Sequence, residues 1–440
     1  MRSLFLLQQV VLEFVRWHSK AGEKSIPTAL EGQRTTSRCV LGRAVVTVAI
    51  FSCLIHTQAA EPEYRTDDGA DKKLPWFNLV NGQFPPEGSA HYIQGELIRM
   101  DHAERQFVIR VDRNDSQQRG VWDLPLPLDM LPYGSIFYNG APAALCDIPL
   151  GTHLHTWCYL KDDTDERPPL AVFHDRVSPE VAFRRCIRIE DDVSYRVSQQ
   201  QVWRIDSVDL EEKKLIATLL HEGKPVGKSK SFDLLGRTRV FKEHGFGTLD
   251  SLAKDQLVHF NLTWVGLFGP GRVLEIYLEE ASRKLATDQQ MERHQLHIRE
   301  RGLPAWVDAV DDRKQLVTLT FFDGVDPALF DELTNLNPEP LGWPAALYGK
   351  GGAKDDLAPK GTIAVARKSL MTYDPTNDRK GGNILKFGKT PVVPGCSGIQ
   401  IQLECGMLLE GFRPTKIVRF YPASWPFITV PMEESFHGRE

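Results

Sequence analysis

A pattern that recurs three times at domain-sized spacing constrains this chain more than any other feature of its sequence. Residues 201–220 read QVWRIDSVDLEEKKLIATLL, residues 95–111 read GELIRMDHAERQFVIRV, and residues 305–320 read AWVDAVDDRKQLVTLT. In each copy an alternating apolar segment runs into an aspartate (Asp101, Asp209 or Asp311), crosses a short polar stretch and enters a second alternating segment. Alternation at period 2 on both sides of a polar turn predicts a β-hairpin with one buried face. Aspartate suits the turn because its carboxylate bonds backbone N–H groups two residues on. The aspartates are 108 and 102 residues apart. The expected fold class is therefore mainly β, with three tandem small β-barrel-like modules joined by helical segments.

Length and composition allow this. The 440 residues have room for about two to four domains, and 42% hydrophobic content can fill sizeable cores. The 34 Gly and 28 Pro fit many turns between short strands better than long helices.

The N-terminus reads as a targeting region over residues 1–59. Residues 44–55 (AVVTVAIFSCLI) form an uncharged run behind Arg38 and Arg43, and small residues follow at Thr57 and Ala59. A charged lead, a short apolar stretch and a small-residue end describe a secretory signal. Twelve residues of helix span about 18 Å, short of a bilayer core of about 30 Å. Export without a transmembrane span in the mature chain is the expectation. Without residues 1–59 the chain keeps 46 Lys+Arg against 55 Asp+Glu. Such an acidic surface repels phosphate backbones, so nucleic acid is not an expected partner. The five cysteines that remain (Cys146, Cys158, Cys186, Cys396, Cys405) contain no CxxC. Cys146 with Cys158, or Cys396 with Cys405, would close short loops in an oxidising compartment. Buried free thiols are the other reading.

Residues 60–90 read as a Pro-rich linker or arm, pinned by Trp76 and Phe77. The first β module is expected over 91–177, with a short strand at 121–124, and a connecting helix over 178–199 opening at Ser178-Pro179-Glu180. The second module covers 200–278. A second helix covers 279–302, rich in helix formers and stopped by Gly302 and Pro304. The third module covers 303–440 and carries a long insertion, with a short helix at Asp326-Pro327.

A small module of short strands with a long first hairpin is most simply a closed or nearly closed barrel. Here the chain resembles exported bacterial proteins of unknown function built from repeated OB-like or SH3-like β-barrel units. Gly95, Leu97, Asp101 and Phe107 match the pattern of those units, as do Ile205, Asp209 and Leu215. The third copy, with Trp306 and Val307 at its start, is read as departing by one residue in the turn. The resemblance covers the three hairpins and brings no catalytic residues with it.

Candidate chemistry is sparse. His153 and His155 sit at i and i+2 of an expected strand, facing one side, and can share a metal ion with His174 as a third ligand. His259 stands at the place of His155 in the second module and Val418 in the third, and a position that accepts valine is expected to line a barrel or its core. His294 and His297, at i and i+3 of the second helix, read as part of a solvated face. The acidic runs Asp162–Glu166 and Asp374–Asp378 read as solvated turns, not calcium loops. Ser397 lacks the GxSxG spacing of an activated nucleophile. Gly381-Gly382 and the Gly349–Gly352 run precede no phosphate-cradling helix. Asn261-Leu262-Thr263 matches a glycosylation sequon inside an expected strand. The function expected is that of an exported non-catalytic multi-barrel protein with a binding or scaffolding role at the cell envelope. Its partner would be an unknown protein or envelope polymer, and it would need no cofactor. The alternative is an exported metal-assisted hydrolase using the His153/His155 pair, with Zn as its cofactor.

Overall fold

The computed structural model describes residues 75, 77–112, 126–160, 184–263, 271–334, 360–367, 370–371, 379–405 and 412–425. All of these belong to one unit spanning Pro62–Glu440. The signal-like segment, Trp76, the expected strand at 121–124, both acidic runs, the Gly349–Gly352 run and His174 lie outside the described residues.

The first barrel is built from β1 (His91–Asp101), β2 (Gln106–Val111), β3 (Leu126–Tyr138), β4 (His153–Leu160) and β5 (Arg184–Asp191). β1 pairs antiparallel with β2 and β4, β2 with β3, and β4 with β5. A parallel pairing of β3 with β5 closes the ring. After β5 the chain turns into a short helix, α1 (Asp192–Ser198). The second barrel repeats the scheme with β6 (Gln201–Asp209), β7 (Lys214–His221), β8 (Lys230–Lys242), β9 (Leu257–Leu262) and β10 (Arg272–Tyr277), again closed by a parallel pair, β8 with β10. Five strands joined in this order are the connectivity of an OB-type Greek-key barrel. A long helix follows, α2 (Glu280–Arg301), ended by Gly302 at φ 81°.

The third barrel is wired differently. β11 (Leu303–Asp311) and β12 (Leu316–Phe322) form its hairpin, and α3 (Pro327–Asp331) follows with Asp326 as its cap. β13 (Lys360–Arg367), β14 (Arg379–Lys389), β15 (Cys396–Glu404) and β16 (Ile417–Pro422) then complete a ring of six strands with only antiparallel pairings.

What the three barrels share is the first hairpin and the strand that closes on it. In each hairpin the register shifts at the same place, after Leu97, Ile205 and Val307. The turn aspartate takes a backbone N–H three residues on: Glu104 to Asp101 (3.0 Å), Glu212 to Asp209 (2.8 Å) and Lys314 to Asp311 (3.1 Å). A left-handed residue ends each turn, Arg105, Lys213 and Gln315, with φ between 52° and 55°. The pairs Asp101 with Gln106, Asp209 with Lys214 and Asp311 with Leu316 give all three turns one length. The expected one-residue departure of the third copy is thus corrected. The closing strand enters identically too: Gly151, Asp255 and Thr415, all at positive φ, each donate their N–H to the carbonyl of Leu97, Ile205 or Val307.

One other expectation is corrected. Residues 184–191 are expected within a connecting helix, yet they are the fifth strand of the first barrel, and among the described residues of that stretch only Asp192–Ser198 is helical. β5 is covered on both faces, Cys186 and Ile189 facing the barrel core and Ile187 joining a cluster outside it. A strand buried on both sides loses the alternation that marks a strand. β3 runs through Pro127 and Pro132. Pro132 falls inside the break in the β3–β5 register between Met130 and Ser135, where no ladder hydrogen bond is lost. All five cysteines outside the N-terminal region are free thiols, and Cys158 lies opposite Cys186 across β4 and β5.

Each barrel holds its own apolar core, and α2 braces all three. Thr287 donates to the Asn139 carbonyl and Gln290 to Asp147 of the first barrel, and Ile298 joins the core of the third. At the far end Tyr421 and Arg419 of β16 donate to the carbonyls of Arg301 and Gly302. The first and third barrels also meet through aromatic side chains. Phe84 of the arm lies 4.1 Å from Trp306, 5.3 Å from Tyr133 and 6.4 Å from Phe322 between ring centres, while Phe77 rests edge-on against Tyr159. Phe107, fully buried in the first hairpin, tests whether these cores are well packed. Phe107→Ala is expected to cost about 3–5 kcal/mol through lost burial and a residual cavity, read as a lower denaturant midpoint. A change below about 1 kcal/mol would mean that the site collapses freely around the smaller side chain.

Candidate functional site

The structure brings His153 and His155 together as the strand period requires, and adds two carboxylates that are distant in sequence. β4 turns Leu154, Thr156 and Cys158 one way and His153, His155 and Trp157 the other. Leu154 and Cys158 fill the first barrel, so both histidines point outward. Over that outer face lies the first turn of α1. It starts there because Asp191 caps it, accepting the Ser194 N–H at 2.9 Å, which places Asp192 in the first turn.

Asp192 Oδ1 is the meeting point. His153 Nδ1 approaches it at 2.9 Å and His155 Nε2 at 3.0 Å. The far side of His153 is also held by a carboxylate, Nε2 lying 3.0 Å from Asp112 Oδ2. With a carboxylate at each ring nitrogen, His153 donates from both. Burial opposes that charge, but Asp192 and Asp112 overcome it and raise the His153 pKa well above the ordinary histidine value. His155 is the opposite case. Burial pushes its pKa down to about 4, offset only in part by Asp192. Its neutral ring donates from Nε2 and accepts the Tyr92 hydroxyl proton at Nδ1. Tyr195 of α1 stacks on the ring at 3.9 Å. Burial would raise the Asp192 carboxyl, yet the two histidines hold it well below the usual carboxylate range.

The same turn of α1 receives the second barrel. Asp192 Oδ2 accepts the Leu262 N–H at 2.8 Å, the Val193 N–H reaches Asn261 Oδ1 at 3.1 Å, and Asn261 Nδ2 reaches Asp191 Oδ2 at 2.8 Å. Asp191 also accepts the Asn139 N–H from the first barrel, and its burial raises its pKa to about 6 against these hydrogen bonds. Asp112, His153, His155, Asp191, Asp192 and Asn261 are all at most 4% exposed. This cluster is a joint between two barrels.

The expectation that position 155 lines a barrel is therefore corrected, and so is its counterpart in the third barrel. The shared start of the closing strands aligns His155 with His259 and Arg419, not Val418. All three are polar and face a helix between barrels: His155 meets α1, His259 feels the charges of Arg283 and Glu280 at the start of α2, and Arg419 meets its end. The alternation of β4 was readable in the sequence. Asp112 and Asp192 carried no signal there, because neither shares a spacing with the histidines.

The remaining candidates settle individually. Among the described residues, His153, His155 and Asp192 are the one group of three whose ligand atoms could hold a metal ion. His294 is buried and accepts the Asp326 N–H at 3.1 Å, which corrects the solvated-face reading of that part of α2. Ser397 Oγ donates to the Phe321 carbonyl and accepts the Ile399 N–H, with no base bonded to it among the described residues. Gly382 lies where a Cβ would stand 1.7 Å from the Glu404 carbonyl, so it serves strand contact. The Asn261 amide of the sequon is fully buried.

Two open spaces lie elsewhere. A cleft of about 680 Å³ runs between the first barrel, the arm and the turn at Val392–Gly395, walled by Tyr92, Trp157, Tyr159 and Arg188. Arg188 donates to Glu190 at 2.6 Å and lies over the Trp157 and Phe137 rings. A smaller cavity of about 80 Å³ touches His294 and His297. Neither is lined by His153, His155 or Asp192. Fold and site together define a tandem β-barrel protein whose histidine–carboxylate cluster is a seam between barrels. No family model matches the chain, and no curated protein matches it in sequence.

Two outcomes follow from these contacts. Asn261→Ala leaves the Val193 N–H without a buried partner and removes one of the two hydrogen bonds to Asp191 Oδ2, and is expected to cost about 1–3 kcal/mol, measured by denaturant titration. His294 and His297 supply a pH dependence. Burial lowers the His294 pKa from 6.5 to about 4 and takes His297 well below 6.5. The unfolded chain therefore binds more protons than the folded one as pH falls from 6.5 towards 4, and stability is lost across that window. His294→Gln, which keeps an acceptor for the Asp326 N–H, should flatten the fall of melting temperature between those pH values. An unchanged slope would show that His294 does not contribute to it.

Proposed function

We propose that this chain is an exported, non-catalytic protein of tandem barrels with a binding or scaffolding role at the cell envelope, its partner a protein or an envelope polymer. One observation carries the reading. The histidines and aspartates that resemble catalytic machinery are sealed in the seam between barrels, while the open cleft offers aromatic walls, the Arg188–Glu190 pair and a Ser198 hydroxyl 3.4 Å from Glu190, but no histidine among its lining residues. A hydrolase needs its reactive groups within reach of substrate, whereas a scaffold needs rigid relative placement of its barrels. The seam supports the second requirement. The acidic cleft side chains Glu87, Glu190 and Asp323 outnumber Arg188, which favours partners other than nucleic acid. Export rests on the apolar run at residues 44–55 behind Arg43.

The test has two arms. Expressed with its own N-terminus in a bacterium, the protein should appear outside the cytoplasm with a mature end at Ala60 or Glu61 by mass spectrometry, and uncleaved cytoplasmic protein would overturn export. Purified protein should show no turnover of chromogenic ester, phosphate and peptide substrates above a blank. Turnover that His155→Gln abolishes without unfolding the protein would replace the scaffold with the hydrolase.

A further inference from the structure

We propose that His153, His155 and Asp192 hold a divalent transition-metal ion, Zn²⁺ by the chemistry of its donors, as a structural clasp between the first and second barrels. The three atoms that would bind it are His153 Nδ1, His155 Nε2 and Asp192 Oδ1, all within 4.8 Å of one another. Two imidazoles and a carboxylate are donors that suit zinc. Both ring nitrogens converge on a single carboxylate oxygen, at 2.9 and 3.0 Å. Bonds of about 2.0–2.1 Å in a tetrahedron require ligand edges of roughly 3.3 Å, so the two edges to Asp192 need a few tenths of an ångström of spreading, while the edge between the two ring nitrogens lies within 4.8 Å.

The surroundings fit a ligand set as well. Histidines that bind metal usually have their other ring nitrogen fixed by a carboxylate or another oxygen. Asp112 stands behind His153 at 3.0 Å, and the Tyr92 hydroxyl stands behind His155. Binding would release one proton, from His153 Nδ1. The His155 proton would move from Nε2 to Nδ1 and be donated to the Tyr92 oxygen, whose own hydroxyl proton can turn to Gln94 Oε1 at 3.4 Å. Every hydrogen bond on the outer side of the two rings then has a donor and an acceptor.

The position of the cluster makes the ion structural. A catalytic zinc keeps one coordination site open to substrate, whereas a structural one has four ligands. The chain supplies three here, all at most 4% exposed and lining neither described cavity, so the fourth would be a buried water. Asp192 also grips the second barrel through the Leu262 N–H. An ion on its other oxygen would fix α1 against β4 and, through it, the docking of the next barrel.

The experiment uses the full mature chain, purified without chelator from cells grown with added zinc. Elemental analysis should find about one zinc per chain, and 1,10-phenanthroline should lower the melting temperature, with Zn²⁺ restoring it, since an ion that binds only the folded state stabilises it. Co²⁺ added to stripped protein should give visible d–d absorption of a tetrahedral site. Asp192→Asn and His155→Gln should each lose the metal, the colour and the chelator response together. If these variants do not fold, the stripping and cobalt return of the wild type still decide the question. Less than about a tenth of an ion per chain with no melting shift on zinc addition would overturn the clasp and leave the scaffold reading intact. Bound zinc together with substrate turnover lost in Asp192→Asn would overturn both the structural role of the ion and the non-catalytic reading.

Discussion

The carboxylate of Asp192 is the contact on which the arrangement of the first two barrels depends. One oxygen collects both histidines of β4 and the other accepts a backbone N–H from β9 of the second barrel. A charge removed from water this completely costs several kcal/mol unless it is matched by close partners. Here the partners come from two barrels, so the carboxylate is satisfied only when both are in place. That conditional satisfaction gives the joint its specificity: a slipped docking would strand Asp192, Asp191 or the Val193 N–H without a partner. The contact between the first and third barrels works by other means. There, aromatic side chains from the arm, β3, β11 and β12 bury area with far less directional demand.

Between these two joints α2 acts as a strut whose buried side is largely polar. Ser282, Gln290, His294 and Arg301 are buried on it together with Ile298. Gln290 and His294 have partners in neighbouring elements, Asp147 and the Asp326 N–H, while Ser282 bonds the helix's own cap residue Glu279. A helix of this kind would be marginal alone, and it forms because tertiary contacts satisfy its polar groups. The same logic explains why aligned positions of the three closing strands are His155, His259 and Arg419. Each faces a helix end or helix start outside its barrel, where His155 finds a carboxylate and Arg419 a backbone carbonyl, whereas the buried His259 Nδ1 has no hydrogen-bond partner among the described residues.

The barrels repeat their entrance and diverge in their closure. The bulge after Leu97, Ile205 and Val307, and the left-handed residue at Arg105, Lys213 and Gln315, set how each hairpin coils and where the closing strand can join it. Beyond that point the first two barrels close by a parallel pair and the third by antiparallel strands alone. The hairpin is thus a common starting unit, and the chain that follows selects the ring.

The amino-acid sequence alone determined the three hairpins, their turns at Asp101, Asp209 and Asp311, the helix at 280–301 and the shared face of His153 and His155, because each of these rests on periodicity or capping within a few neighbouring residues. Tertiary structure decided the rest. Arg184–Asp191 became a strand because edges of β3 and β4 were open to it, although its burial on both faces erased the period that would have marked it. Likewise, nothing near His153 in the chain announced Asp112 or Asp192. They meet the histidines only because barrel closure carries β1 beside β4 and α1 across its outer face, and distance along the chain holds no record of a contact that closure makes.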